Sequence, residues 1–354
     1  MLHRLTQQTG VLLPAWANES LCACLRPDAG VACMVSTHDE AQALRPLTLA
    51  WVSRHLEVGE RIVRTEVLHG GITAEMRRLT VGTRDGGTRD LVLRSFAAPF
   101  SVEHAEDRLN REAGALTLLT GTGVPAPGLV AVDPTAAHCE YPSLLMTHLA
   151  GRTVLADEGL QARVPPLARQ LVEIHAVRPA ERPRKYVTLT TADTVVVPKG
   201  VDAAAWAAAI DMLRRPAPSY EGRFLHRDFH PGNVPFDVPP SRPAGARITG
   251  VVDWTAASWG PADLDVAHCS TNLALLHGPA WGLRFAEAYE EAGGVPAAAA
   301  SERLYWRVRD GLACSEEVRL VAQPWREAGR TELTTQVVEE RLDAYVTALM
   351  DALG

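Results

Sequence analysis

The sequence predicts an α+β fold of two lobes, a small lobe built on an antiparallel sheet followed by a mostly helical one. Three observations carry this. Between residues 62 and 96, three short runs with strand character are separated by Gly-containing turns. From residue 151 onward the apolar residues recur at helical spacing, with Leu167, Leu171, Ile174 and His175 on one stripe. Between these halves, the apolar run Ser143-Leu144-Leu145-Met146 opens into Thr147-His148-Leu149-Ala150-Gly151, a short Gly-terminated link of the kind on which two lobes hinge.

Composition sets the outer bounds. At 354 residues, 47% of them hydrophobic and 22% charged, the chain belongs to the globular class and can bury a substantial core. A net charge of −7 argues against nucleic acid as a partner. No apolar run approaches the ~20 residues that span a bilayer, so no membrane partner is expected. The six cysteines, at 22, 24, 33, 139, 269 and 314, lack the paired spacing of a metal site and read as reduced thiols. Pro14 interrupts a short apolar run near the N-terminus, too short for an export signal, and a cytoplasmic location is expected.

Residues 1–45 show no periodicity and read as a poorly ordered N-terminal extension, with Met34 as a candidate start. Residues 46–149 form the expected N-lobe. Its first element is an amphipathic helix from Pro46 to Leu56, with Leu47, Leu49, Trp51, Val52 and Leu56 as the packing face. Strands follow at Ile62–Leu68, Glu75–Val81 and Leu91–Phe96, joined by turns at His69-Gly70-Gly71 and Asp85-Gly86-Gly87. A helix over 102–120 carries Ala105, Leu109 and Leu116 inward, and Gly128–Val132 is a further strand. Residues 150–354 form the expected helical lobe. It contains an Ala-rich helix from Val201 to Leu213, a helix starting at Gly260-Pro261, and helices near 279–292, 300–322 and 332–352. In the last of these, Leu333, Val337, Leu342, Val346 and Leu349 form the stripe.

The chemistry concentrates between Leu225 and Asp253. Phe224-Leu225 delivers His226, Arg227 and Asp228 to a loop; Asn233 follows five residues after Asp228, and Val251-Val252 reads as the strand that delivers Asp253. Pro231-Gly232 supplies the turn between Asp228 and Asn233, Gly being the residue that tolerates positive φ. An acid that meets an attacking hydroxyl, with an amide and a second acid on a phosphate-bound metal, is the pattern of phosphoryl transfer. The alternation of His226, Asp228 and His230 also admits a metal-binding strand face, a reading that leaves Asn233 and Asp253 unexplained.

A nucleotide-binding sheet needs a cation on its third strand. Lysine occurs only at 185 and 199, so the sole candidate on that strand is Arg94, whose planar fork suits phosphate and carboxylate alike. Glu112 falls on the inward stripe of the following helix, where a carboxylate needs a partner. An Arg94–Glu112 ion pair is therefore expected. The Gly70-Gly71 turn can bring backbone N–H groups close to phosphates, and the backbone from Thr147 to Leu149 can read an adenine edge.

LHRDFHPGNV (225–234), VVDW (251–254) and GPADLDVAH (260–268), in that order, resemble the aminoglycoside phosphotransferase family, which shares the choline-kinase-like and protein-kinase-like fold. The likeness runs from about residue 47 to the C-terminus. It implies Asp228 as base or hydroxyl-orienting carboxylate and Asn233 and Asp253 as Mg2+ ligands. It further implies His226 as a loop-structuring residue and Asp265 as the acid that braces the catalytic loop. Gly70, Gly71, Thr73, Arg94 and Glu112 would surround the nucleotide, with Thr147 and Leu149 at the hinge. The implied activity is transfer of the γ-phosphoryl group of ATP, or of GTP, to a small-molecule hydroxyl. The alternative is a nucleotide-binding regulatory protein of the same fold without transfer activity. Two departures stand out: Arg94 where Lys is commoner, and Pro235 where an uninterrupted apolar strand is expected. Beyond the motifs, Asp310, Glu316 and Glu317 are candidate contacts for a polycationic substrate.

Overall fold

The computed structural model describes residues 44–68, 74–98, 102–239, 245–316 and 318–352. The first described element is α1 (Pro46–Arg54). It is followed by β1 (Arg61–Leu68), β2 (Glu75–Gly82) and β3 (Thr88–Ser95), then α2 (Ala105–Leu119), β4 (Leu129–Asp133) and β5 (Ser143–Thr147). The five strands form one antiparallel sheet in the order β1-β2-β3-β5-β4.

Strand alternation sorts the side chains of this sheet between two cores. Leu91 and Leu93 of β3 join Leu79, Val81 and Leu145 beneath Trp51 and Val52 of α1. The residues between them point the other way. Val92 packs with Leu144, Met146 and the Leu109–Leu116 face of α2. Arg94, paired across the sheet with Leu144 and two residues after Val92, shares that second face and so turns toward α2. The start of α1 is pinned by Glu140, whose carboxylate accepts from Leu47 N at 2.7 Å and Thr48 N at 2.9 Å. This pinning leaves Leu47 and Leu49 58% and 42% exposed, so only Trp51, Val52 and Leu56 of the expected face pack inward.

The second lobe comprises α3 (Leu160–Ala176), α4 (Ala203–Leu213), β6 (Gly222–Leu225), a 3-10 turn at Pro231–Asn233, β7 (Phe236–Asp237), β8 (Arg247–Ile248), β9 (Ser258–Pro261), α5 (Ala262–His277), α6 (Pro279–Glu291), α7 (Ala300–Ala313), α8 (Val318–Glu327) and α9 (Thr335–Asp351). β6 pairs with β9 and β7 with β8, both antiparallel. The core of the sheet lobe continues into this lobe through Phe224, Val251 and Trp254, and α3 and α6 complete it. A second core lies among α4, α5, α7 and α9. α5 is buried on nearly every side, including its polar residues Asp263, Asp265, Ser270, Thr271 and Asn272. Of its two acids, Asp265 is spent on the loop described below and Asp263 accepts from Ala297 N at 2.9 Å.

Several expectations are corrected here. The helix expected over 300–322 is two helices, because Ser315 turns its hydroxyl back to Leu312 O at 2.8 Å and ends α7 locally. Pro261 is the cap before α5 rather than a residue of its first turn. In α9 the inward residue is Val338, with Val337 partly buried. Val251-Val252 is not a strand: Val251 N donates to Pro125 O at 2.8 Å and Val252 N to Asn233 O at 2.9 Å, so both are held in irregular backbone. Past Pro235, the strand continues only as the two residues of β7. Gly151, at φ +103°, sits where the interlobe link crosses β7, and a Cβ there would stand 2.8 Å from Phe236 O.

Candidate active site

Two arms, one from each lobe, meet at the site. In the first, Arg94 is 5% exposed and Glu112 1% exposed, with Arg94 Nε 3.4 Å from Glu112 Oε2. The same guanidinium reaches across to the helical lobe and donates from Nη1 to Asp253 Oδ1 at 3.0 Å. Burial works against the Arg94 charge, yet Asp253 and Glu112 together hold its pKa above the ordinary value. Burial pushes the Glu112 carboxyl up to about 7, a rise that the Arg94 charge only partly offsets. Asp253 is likewise raised by burial, but Arg94 outweighs this and leaves its pKa below the ordinary value. Thr255 Oγ1 adds a hydrogen bond to Asp253 Oδ1 at 2.7 Å. Oδ2 has no protein partner among the described residues.

The second arm is the loop after β6. Its backbone is fixed by Asp265, near the start of α5, which accepts from His226 N through Oδ2 and from Arg227 N through Oδ1, each at 2.8 Å. His175, read from the sequence as a packing residue, is buried and touches Asp265 Oδ2 from Nε2 at 3.3 Å; its Nδ1 is 2.7 Å from the Tyr289 hydroxyl. Burial raises Asp265, but the hydrogen bond from His175 and the nearby Arg227 charge more than offset it, and its pKa falls below the ordinary value. The backbone turns at Arg227 with φ +70°, a left-handed conformation. His226 is buried and its pKa is lowered chiefly by that burial. Its Nδ1 accepts from Asp228 N at 3.2 Å and its Nε2 donates to Val252 O at 3.0 Å, so the imidazole joins the loop to the turn before Asp253.

Asp228 and Asn233 are in direct contact. The Asn233 amide donates from Nδ2 to Asp228 O and to Asp228 Oδ2, both at 2.9 Å. That spends the amide nitrogen and leaves Oδ1 as the free end. Gly232 has no positive φ, contrary to expectation. Its role is space: a Cβ would lie 2.4 Å from His230 Cε1, and the His230 ring accepts from Gly232 N at 3.1 Å. A metal site on His226, Asp228 and His230 does not fit, because both nitrogens of His226 are spent on backbone. Among the described residues no group of three His, Cys, Asp or Glu side chains is disposed to hold a metal ion. What remains is one amide oxygen and one carboxylate oxygen, hard donors of the kind that hold Mg2+ alongside phosphate oxygens.

One partner of Asp228 went unread in the sequence. His268 Nε2 lies 3.1 Å from Asp228 Oδ1, and His268 Nδ1 lies 3.2 Å from Asp310 Oδ1. Its signal was its position three residues after Asp265, which puts both on one face of α5. Asp310 is 4% exposed and engaged with this imidazole, so the expected contact to a polycation is not available from it. Glu316 is partly buried, which raises its pKa, and Glu317 lies outside the described residues. Gly70, Gly71 and Thr73 also lie outside them. At the link, Thr147 N donates to Gly128 O at 2.9 Å and His148 N to Asp90 O at 3.1 Å. Of the backbone donors expected to read a base edge, only Leu149 N is left among the described residues.

A two-lobe α+β chain with a cation from the sheet lobe and two acids and an amide from the helical lobe has the protein-kinase-like fold. The model of the phosphotransferase enzyme family (APH) matches residues 66–305, more than half of the chain, and the chain belongs to that family. Solved structures agree on the fold. A candidate aminoglycoside phosphotransferase from Ralstonia eutropha JMP134 is 15% identical over 86% of this chain and 96% of its own, with a TM-score of 0.57. A thermostable mutant of aminoglycoside phosphotransferase APH(4)-Ia, in ternary complex with ADP and hygromycin B, is 19% identical over 80% of this chain and 94% of its own, with a TM-score of 0.52. Macrolide 2'-phosphotransferase type I is 17% identical over 86% of this chain and 98% of its own, with a TM-score of 0.54. Among curated proteins, none matches the chain.

Proposed function

We propose that the chain is a small-molecule kinase that uses ATP, or GTP, with Mg2+ and transfers the γ-phosphoryl group to a substrate hydroxyl. The observation that carries this is the joined set Arg94, Asp253, Asn233 and Asp228: the buried cation of one lobe bonds Asp253, the Asn233 amide bonds Asp228, and Val252 N donating to Asn233 O ties the two pairs together. In this reading Asp228 orients the acceptor hydroxyl. Burial raises its pKa, but the His268 hydrogen bond and the imidazoles around it prevail, and it stays ionised well below the usual carboxylate range. So weak a base suits a loose phosphoryl-transfer transition state, in which positioning matters more than early proton removal.

Asn233 Oδ1 and Asp253 Oδ2 would hold the metal ion, whose part is to neutralise phosphate charge. Arg94 faces the same oxygen-rich corner and would meet the phosphates, with Gly70, Gly71 and Thr73 proposed from the sequence as further nucleotide contacts and Thr147–Leu149 beside the base. Residues 46–149 and 150–354 would be the nucleotide and acceptor lobes, with residues 1–45 an extension. The family match and the presence of ADP and hygromycin B in a structure of the same fold support a nucleotide and a hydroxylated small molecule as the two substrates. No helix of the described residues is long and apolar enough to cross a membrane, which is in keeping with cytoplasmic chemistry.

The test is a nucleotide-consumption screen over aminoglycosides, macrolides, other sugars and amino alcohols, with Asp253→Ala as the blank. With an acceptor in hand, Asp228→Asn should lower turnover by roughly 10²- to 10⁴-fold. Unchanged turnover in that variant would remove Asp228 from its role. ATP binding without turnover on any acceptor would favour the regulatory alternative.

A further inference from the structure

We propose that His268 and Asp310 form a positioning pair that fixes the rotamer of the Asp228 carboxylate, with His268 held as an imidazolium between two acids. The inference rests on the reading of Asp228 as the hydroxyl-orienting group. The geometry comes first. Asp228 Oδ1 is 3.1 Å from one ring nitrogen and Asp310 Oδ1 is 3.2 Å from the other. An ionised carboxylate oxygen can only accept, so both contacts are hydrogen bonds only if both ring nitrogens carry protons. Neutral imidazole satisfies one and sets a lone pair against the other.

The surroundings agree. Besides Asp228, the loop brings His230, with its ring centroid 6.0 Å from that of His268, and α7 brings Asp310. On α5 itself, Asn272 Nδ2 donates to His268 O at 2.9 Å and lies 3.2 Å from Nε2, where its second N–H would need a ring lone pair; Asp228 Oδ1, 3.1 Å from the same nitrogen, needs a ring proton there, and the ionised carboxylate makes the stronger contact. Burial disfavours the charged ring, yet Asp310 and Asp228 prevail and push its pKa up to about 10; the His230 pKa falls to about 4, chiefly through burial, so the loop imidazole does not contest the charge.

The arrangement follows from one helix face. Asp265 and His268 are an i, i+3 pair near the start of α5. The first takes the backbone N–H groups of His226 and Arg227, and the second takes the side chain of the next residue, Asp228. Asn233 holds the other oxygen of Asp228, Oδ2, at 2.9 Å. With one oxygen bound by an amide and the other by an imidazolium, the carboxylate has one orientation, and Asp310 supplies the countercharge that keeps the imidazolium charged.

The experiment has two parts. The first is a 1H–13C NMR titration of the histidine ring signals of the unmodified protein, assigned by comparison with His268→Gln. The His268 signal should stay in its protonated position to beyond roughly pH 9, whereas an unperturbed ring titrates near about 6.5. A His268 signal titrating near the unperturbed value would overturn the proposal whether or not the protein transfers phosphate, so failure of the pair and failure of the kinase reading remain separable. The second part uses steady-state kinetics with the acceptor from the screen. His268→Ala should lower kcat by about 10²-fold with the KM for nucleotide nearly unchanged, the loss expected for ~1 Å of misplacement. His268→Gln, which keeps a donor toward Asp228, should recover about tenfold of that loss. Asp310→Asn should leave kcat high in acid and bring its alkaline fall down by about two pH units. A kcat for His268→Ala within about twofold of the unmodified enzyme, or superimposable pH profiles for Asp310→Asn and the unmodified enzyme, would overturn the pair.

Discussion

Each lobe brings to the site a cation wedged between two carboxylates, and the two wedges differ in kind. Arg94 stands between Glu112 and Asp253, and His268 stands between Asp310 and Asp228. The guanidinium is charged at any working pH, and its two acids come from different lobes, so this contact ties β3 and α2 to the turn before Trp254. The imidazolium owes its charge to its neighbours, and both of them belong to the helical lobe. The first wedge is therefore a permanent bond across the cleft. The second is a local brace that exists only while protonated.

Breaking the permanent wedge should have the largest effect on stability. Arg94→Met strips Asp253 of its cation and leaves Glu112 to be buried in its protonated form without a partner, and the expected loss is roughly 3–5 kcal/mol by denaturant unfolding. An unchanged unfolding midpoint would mean that the wedge holds nothing together. Next comes the backbone anchor shared by the second arm. Asp265→Asn replaces an acceptor of two N–H groups by an amide that can turn only one oxygen to them, at a cost of roughly 1–3 kcal/mol. Amide exchange at His226 and Arg227 should quicken in this variant; equal exchange rates would contradict the anchoring role.

The smallest effect at neutral pH is that of Glu112→Gln, because a carboxyl whose pKa is pushed up to about 7 is already about half protonated there. Its mark is a slope. A raised carboxyl contributes stability that is complete below its ordinary value of 4.5 and is lost as the pH rises through about 7. The unmodified protein should thus weaken across that window, and Glu112→Gln should weaken less. Parallel stability curves for the two proteins would place the carboxyl pKa near its ordinary value.

The sheet-lobe arm was legible because elimination did the work. With lysine confined to positions 185 and 199, Arg94 was the one basic residue of the strand expected at Leu91–Phe96, and Glu112 lay on an otherwise apolar stripe; β3 itself starts at Thr88 and also carries Arg89, which is taken by Glu60. What could not be read is the third member, since the pairing of Arg94 with Asp253 depends on how two lobes dock. His268 was hidden for a different reason. α5 is buried all round, so its polar residues carry no amphipathic signal, and only the three-residue step from Asp265 hints at a shared face. Short elements also escaped. Val251-Val252 has the composition of a strand, but its N–H groups bond to Pro125 and Asn233, partners that no local pattern announces. The turn glycine at 232 was rightly placed and wrongly explained, because the need for space beside the His230 ring is a tertiary fact.

Arg227 and Asp253 adopt φ of +70° and +65°, a region that glycine enters at no steric cost and other residues enter at roughly 1–2 kcal/mol. One is itself held in the backbone clamp of Asp265, and the other is gripped by Arg94. At Asp253 the strain is carried by a side chain that bonds Arg94 across the two lobes, so glycine there would relax the backbone and at the same time undo the ion pair that joins them.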